Sequence, residues 1–390
     1  MKQSDFAEIF PGKTVPLRNG DVCFVPDPPP REFRIDAELR LADERANRAI
    51  GRLQAIIPSL PNPALITTPF MRREAVLSSK IEGTRTELAG LYLFEEMHCL
   101  DDEKPSTGDD DADAHEVYNY VVAQSEGFRM LTEMPLCMRI VRVMHERLMH
   151  GIPGNKGFDK LPGQYRKTQA FIGPDGSIAN ARYVAPQAAE VDRLMDELEK
   201  FIHAPNERPS LVAIAIIHYQ FEAIHPFFDG NGRLGRLLIS LLLAAKDILV
   251  EPILYLSAYL ERRKSDYIRL LLRVSTHGEW REWILFFLEG ITEVADDAVR
   301  RAKNLLELRE RYRAGFQKNR ATTAKTLELI DGLFRWPVTS VSRAMESLEM
   351  SHQGATKYIQ NLQTSGVLEE VTGYKRNRLF IAKEIVATIS

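Results

Sequence analysis

From Asp36 to about Ile57 the apolar positions Leu39, Leu41, Ala46, Ile50, Leu53 and Ile57 return every three to four residues, which places them on one face of a helix. Pro58, Pro61 and Pro63 then end it. The same periodicity predicts helices over Pro69–Ser79, Leu88–Met97, Ala114–Leu131, Pro135–His150, Ala188–His203, Ser210–Ile224, Gly235–Lys246 and Ser265–Val274, and a long charged one from Trp280 to about Tyr312. The interval Gly163–Pro186 breaks this rhythm. Thr168–Ile172, then Gly173-Pro174-Asp175-Gly176, then Ser177–Val184 reads as strand, turn and strand. From Thr322 the pattern gives helices over Thr322–Phe334, Val338–Leu348 and His352–Gln363, the last with Ser351 as N-cap. Gly366 ends it, and strands over Val367–Val371 and Arg378–Ile381 flank a basic turn. The fold class is therefore mainly α: a helical core with a β-hairpin, plus three helices and a hairpin that describe a C-terminal winged helix-turn-helix. Residues 1–35, with three consecutive prolines at 28–30, are expected to be irregular, and the acidic run Asp101–Asp113 a solvated loop.

Composition narrows the class. With 44% hydrophobic and 27% charged residues in 390, the chain can bury a core, and its length suggests two or three domains. A net charge of −3 argues against a whole-chain electrostatic footprint for nucleic acid or membrane. Cys23, Cys99 and Cys137 lie far apart in no metal-ligand spacing and read as unpaired thiols. The first residues lack an apolar stretch of signal-peptide type, and the longest strongly apolar run, around Leu237–Ala245, is half a membrane span. A soluble cytoplasmic protein without membrane contact is expected.

The chemistry concentrates in His225-Pro226-Phe227-Phe228-Asp229-Gly230-Asn231-Gly232-Arg233-Leu234-Gly235-Arg236, between one apolar helix and the next. Gly230, Asn231 and Gly232 tolerate positive φ, so consecutive N–H groups can face one concavity and hold phosphate oxygens. The helix that follows adds its positive end. Asp229 is a hard oxygen donor suited to Mg²⁺. Arg233 and Arg236, three apart, share a helical face and can both fork onto a polyphosphate. His225 titrates near neutrality and can take a proton from an attacking hydroxyl.

This segment resembles the Fic family signature HPFx(D/E)GNGRxxR, with every specified position filled. Ser78-Ser79-Lys80-Ile81-Glu82-Gly83 resembles that family's inhibitory motif (S/T)xxxE(G/N), and the hairpin at 167–184 sits where the family has its target-docking flap. The resemblance spans about Glu38–Gly290. It implies an N-terminal segment with an inhibitory helix (1–113), a Fic catalytic core (114–290), a helical linker (291–320) and a winged helix domain (321–390).

It also implies an activity: transfer of AMP from ATP to a Ser, Thr or Tyr hydroxyl of a target protein, with self-modification included. His225 would be the base and Asp229 the Mg²⁺ ligand. Gly230, Asn231, Gly232, Arg233 and Arg236 would bind the phosphates, with Phe227 in the nucleotide set. Gly232 favours AMP transfer, since the Doc-like kinases carry lysine there. Tyr259 and Arg262 either line the nucleoside pocket or are exposed helix residues. Ser78, Glu82 and Gly83 form the inhibitory element, Glu82 pairing with Arg236 in place of the γ-phosphate. Removal of AMP and use of another nucleotide remain open. The flap would take a target segment as an added strand. The tail (321–390) carries eight Lys/Arg against seven Asp/Glu. Gln353, Lys357, Gln360 and Asn361 on its third helix and Lys375, Arg376, Asn377 and Arg378 in its turn could reach DNA. Near-neutral modules of this kind also dock proteins or a second copy of their own chain, and a regulator that only senses nucleotide is the reading from another class.

Overall fold

The computed structural model describes residues 1–17, 20–30, 32–60, 62–100, 109–152, 161–175, 177–205, 210–249, 251–317, 323–373 and 377–390. The N-terminal residues, expected to be irregular, pair instead: β1 (Gly12–Pro16) runs antiparallel to β2 (Val22–Pro26). The run Val22-Cys23-Phe24-Val25 is buried throughout. Its short apolar stretch was a strand signal hidden among prolines.

α1 (Ala37–Gln54) is capped by Asp36, whose carboxylate accepts from the Leu39 N–H, and it buries Leu39, Ala46, Ala49, Ile50 and Leu53. Leu41 stays exposed. α2 (Ala64–Glu82) begins ahead of the expected Pro69 and carries that proline inside it. It stops where Gly83 turns left-handed at φ 115°, the Gly83 N–H donating to the Ser79 and Lys80 carbonyls. α3 (Leu88–Leu100) follows. Of the acidic run, residues 101–108 lie outside the described residues, and from Asp109 it belongs to α4 (Asp109–Leu131) rather than to a loop. There Asp113 accepts the Arg85 N–H at 2.7 Å. α5 (Met138–Leu148) precedes the hairpin.

That hairpin is shorter than expected. Only β3 (Phe171–Ile172) and β4 (Tyr183–Val184) pair, with a helical turn at Ile178–Asn180 between them. Gly176 of the expected turn lies outside the described residues. α6 (Val191–His203) then leads to α7 (Ser210–Ile224), which is buried on nearly every side, and α8 (Asn231–Ala245). α9 (Ser257–Arg262), α10 (Lys264–His277) and the long α11 (Trp280–Gln317) complete the helical layer. α11 lies along α1, and the fully buried Trp283 donates its indole N–H to the Ala215 carbonyl of α7 at 2.9 Å.

The C-terminal stretch runs α12 (Ala324–Arg335), β5 (Val338–Ser340), α13 (Val341–Ser347), α14 (His352–Thr364), β6 (Glu369–Glu370), β7 (Leu379–Ile381) and α15 (Lys383–Ile389), with sheet order β5-β7-β6. Val338–Ser340, expected in a helix, is a strand. β-branched residues after Pro337 favour it, and Ser340 caps the helix that starts next. Ser351 caps α14 as its position suggested. Lys375 and Arg376 of the basic turn lie outside the described residues. Among the described residues no helix is long and apolar enough to cross a membrane.

The C-terminal elements grip α2 and α3. Arg72 donates to Glu95 at 2.7 Å, and its guanidinium lies 4.2 Å from the Trp336 ring, on which Arg343 also stacks at 4.6 Å. Arg343 in turn pairs with the buried Glu96 at 2.5 Å. Arg73 donates to the Ser390 carbonyl at 3.3 Å. Truncating one partner of a buried ion pair strands the other. Arg72→Ala should therefore lower unfolding free energy by about 3–5 kcal/mol, read as a shift of the denaturant midpoint, whereas Arg262→Ala, on an exposed pair with Glu293, should move it by less than about 1 kcal/mol.

Candidate functional site

The loop between α7 and α8 is shaped by two unusual backbone positions. His225 sits at φ 50°, a left-handed geometry that costs a non-glycine residue about 1–3 kcal/mol and persists only when its surroundings enforce it. Gly230, at φ 78°, is the N-cap of α8. Asn231 and Gly232 are already helical. The expected run of positive φ thus narrows to Gly230, and the N–H groups available to an anion are those of the first turn of α8.

Asn231 closes the loop with its side chain, its oxygen accepting from the Phe227 N–H at 2.9 Å and its amide donating to the Phe227 carbonyl at 2.8 Å. From below, His145 of α5 accepts the Gly163 N–H on Nδ1 at 2.9 Å. Its Nε2 therefore carries the proton and donates to the Asp229 carbonyl at 3.0 Å. Burial holds that imidazole down at about 4, so it is a neutral brace. Phe227 stacks on it with centroids 3.8 Å apart and is fully buried. Phe227 is thus a wall of the core and does not line the cavity; Phe228 does.

A cavity of about 470 Å³ opens above this loop, lined by Glu82, His225, Asp229, Gly230, Asn231, Gly232, Arg233 and Arg236, with Tyr183 and Arg182 from the hairpin and Lys264, Tyr267, Ile268 and Leu271 from α10. Its size suits a nucleotide-sized ligand. Tyr259 and Arg262 are elsewhere. Tyr259 packs against Phe286 with centroids 4.8 Å apart, and Arg262 pairs with Glu293 of α11. The wall expected of them is supplied by α10, one helix later. Apolar periodicity alone does not say which face of consecutive helices meets a cavity.

Arg236, with its side chain 2% exposed, is held by α2. Its Nε donates to the Ser78 hydroxyl at 2.8 Å, and its Nη2 to the Ser78 carbonyl at 2.9 Å and to Glu82 Oε1 at 2.6 Å. A Cβ on Gly232 would stand 2.4 Å from that same Glu82 oxygen, so the carboxylate lies directly over the head of α8. Burial pushes the Glu82 carboxyl up, but Arg236, with Arg233 and Lys264, outweighs it and holds the group below the usual carboxylate range. Gly83 caps the helix that presents this carboxylate, and Lys264 Nζ donates to the Ile81 carbonyl at the same end. Arg233 donates to Glu116 of α4 at 2.7 Å, a partner that sequence spacing gave no means to find.

Glu222, one turn before His225, also faces Arg236, and burial pushes its carboxyl up to about 7. It was visible only as a lone acid in the apolar run of α7. Asp229 lies half-buried at the cavity, with its carboxylate accepting the Gly230 N–H at 2.7 Å. No group of three or more His, Cys, Asp or Glu capable of holding a metal occurs among the described residues. One carboxylate beside a phosphate-sized space fits Mg²⁺, an ion bound by one or two carboxylates and by the phosphates themselves.

His225 is half-buried at the cavity wall. Burial, reinforced by the charge of Arg166, holds its imidazole down at about 4, with Glu82 and Asp229 opposing in part. A base with a depressed pKa is neutral above it, so the ring is ready to accept a proton throughout the neutral range. The His225 Cε1–H resonance should titrate with a midpoint near 4; a midpoint near 6.5 would mean the ring is solvated rather than held in this wall.

Comparison with known proteins followed the same outline. The model described as Fic/DOC family N-terminal matches residues 41–129, and the Fic/DOC family model matches 135–243, together just over half of the chain. The protein adenylyltransferase Fic of Drosophila ananassae is 24% identical over 172 residues, covering 43% of this chain and 30% of the relative. That of Drosophila grimshawi is 23% identical over 171 residues, covering 43% and 31%. The chain thus spans less than a third of the length of these curated relatives. A crystal structure of a Fic family protein from Desulfovibrio desulfuricans G20 superposes with a TM-score of 0.54 at 20% identity, covering 91% of this chain and 98% of that one, which shows a shared fold.

Proposed function

Because the chain belongs to the Fic/DOC family, we propose that it is a protein adenylyltransferase that moves AMP from ATP to a hydroxyl side chain of a target protein and is held inactive by Glu82. The observation that carries this reading is the Glu82 carboxylate seated over Gly232 and paired with Arg236, at the head of a helix and in one cavity with His225. A carboxylate held by a buried guanidinium and a helix N-terminus marks where phosphate oxygens would be held.

In the proposed reaction the triphosphate lies along the first turn of α8, with Arg233 and Arg236 neutralising its charge. The neutral His225 ring takes the proton of the target hydroxyl. A bond forms from that oxygen to the α-phosphorus as the bond to the β-phosphate oxygen breaks, and pyrophosphate leaves. Asp229 would hold Mg²⁺, whose chemistry there is to neutralise phosphate oxygens. The target would add as a strand beside β3, where Ile172 is 43% exposed.

Incubation of Glu82→Gly protein with ATP and Mg²⁺ should give an adduct of one AMP by mass spectrometry, with label passing from α-labelled but not γ-labelled ATP. Freeing Arg236 from a charge-assisted bond worth about 1.5–3 kcal/mol should raise transfer about tenfold or more over the wild-type chain. His225→Ala in that background should lose about 10²–10⁴-fold. Unchanged transfer in either comparison would remove the assigned role.

A second activity is proposed for the C-terminal stretch, read as a winged helix. α14 presents exposed Gln353, Lys357, Gln360 and Asn361 on one side, a set able to reach base edges and phosphates. Mobility-shift titration of the whole chain on mixed duplex DNA should show affinity that falls as salt rises. Absence of a shift at low salt would leave that face to a protein or to a second copy of the chain.

A further inference from the structure

The residue before the hairpin makes contacts that no sequence motif announced. Arg166 is 2% exposed, and among the described residues no carboxylate pairs with it. Its Nε donates to the His225 carbonyl at 2.8 Å, and its Nη2 to the Ile224 carbonyl at 3.3 Å. Its own backbone N–H donates to the Pro226 carbonyl at 2.9 Å. These are successive carbonyls at the end of α7, where a helix leaves acceptors unsatisfied and its dipole is negative. That explains how a guanidinium can be buried without an acid.

The rest of the same side chain faces the hairpin. Nη1 donates to the Thr168 carbonyl at 2.9 Å and Nη2 to the Pro186 carbonyl at 2.6 Å. Thr168 enters β3 and Pro186 leaves β4, so both ends of the hairpin are tied to one planar fork. Gln169 reinforces this root by donating to the Ala185 carbonyl at 2.5 Å. His225 occupies its left-handed geometry with its carbonyl on that fork.

We propose that Arg166 is a positioning residue that fixes the backbone of His225 and the root of the target-docking hairpin as one rigid unit, so that the docked strand and the base are set in register by a single side chain. This rests on His225 acting as the base. Arg166 does not line the cavity, so its effect is on the reacting geometry and leaves nucleotide binding alone. Its charge has a second consequence. The ionisable groups that bear on the His225 ring are Arg166, Glu82 from α2 and Asp229 from the loop, with the Glu222 carbonyl of α7 beside it; of these Arg166 is the cation, and it disfavours the imidazolium.

The test uses Arg166→Gln and Arg166→Lys in the whole chain carrying Glu82→Gly. Arg166→Gln keeps some donors and loses the charge, while Arg166→Lys keeps the charge and loses the fork. The expected result is a fall in kcat for AMP transfer of about tenfold or more in both, with KM for ATP and the dissociation constant of ATP within about twofold of the parent. Burial, the first cause of the low His225 midpoint, persists in both variants, so the Cε1–H midpoint should rise only part of the way in Arg166→Gln and stay low in Arg166→Lys. If kcat is kept in both, or ATP affinity falls in step with kcat, the proposal is overturned. If the Glu82→Gly parent itself transfers no AMP, the reaction assignment fails, and the midpoint in the two variants alone decides the role of Arg166: no difference between them overturns it. Should Arg166→Gln fail to fold, retention of parental kcat by Arg166→Lys overturns it on its own.

Discussion

A guanidinium buried as deeply as Arg236 has to be satisfied, because an uncompensated charge in the interior costs several kcal/mol. The site is organised around that requirement. In the structure the partners come from α2, as the Ser78 hydroxyl and carbonyl and the Glu82 carboxylate. Of these, Glu82 alone reaches the cavity, where under the proposed function a phosphate oxygen would take the place of its carboxylate. In the proposed inhibition the electrostatic demand of the site is met from within, and substrate would compete with a covalently tethered acceptor. That competition needs no blockage of the cavity, which stays open beside Glu82.

The second element is rigidity supplied by side-chain hydrogen bonds. Asn231 staples the loop, His145 braces it in a single tautomer, and α8 starts from its N-cap Gly230 at the cavity. His218 does the same one layer down, bridging the Gly235 carbonyl at 3.1 Å and the Tyr267 hydroxyl at 2.9 Å. Burial holds it at about 3, so it too stays neutral. Three histidines therefore share one polar seam, two as neutral struts and one at the cavity. The difference lies in what each faces rather than in residue type.

Much of this was legible in the sequence, where it was local. The residue types of the loop 225–236 carry their own chemistry, and the pair of Glu82 with Arg236 was implied by the family resemblance. Helix existence followed from period, and Asp36 and Ser351 capped where their positions said. What escaped was set by tertiary context. Phe227 looks like a ligand contact from its neighbours and is a core wall. Tyr259 and Arg262 turn toward α11 while α10 supplies the cavity wall. β2 was masked by prolines and α15 by its brevity. Arg166 and Glu116 draw their meaning from partners more than fifty residues away, and Glu222 from facing Arg236 across the loop, and no spacing rule encodes those.

The anchorage of α2 limits how the proposed inhibition would be lifted. At its middle the helix is riveted through Arg72 to Glu95 and Trp336, and through Arg73 to Ser390. Swinging it away as a rod would tear all of these at once. Rotating the Glu82 side chain sacrifices little beyond one ion pair, whereas unwinding the last turn would also break the bond from Lys264 to the Ile81 carbonyl and expose the buried Ile81. Under the proposed function the latch is thus a fingertip on a fixed arm, and escape would be a matter of one side-chain rotation rather than of domain travel.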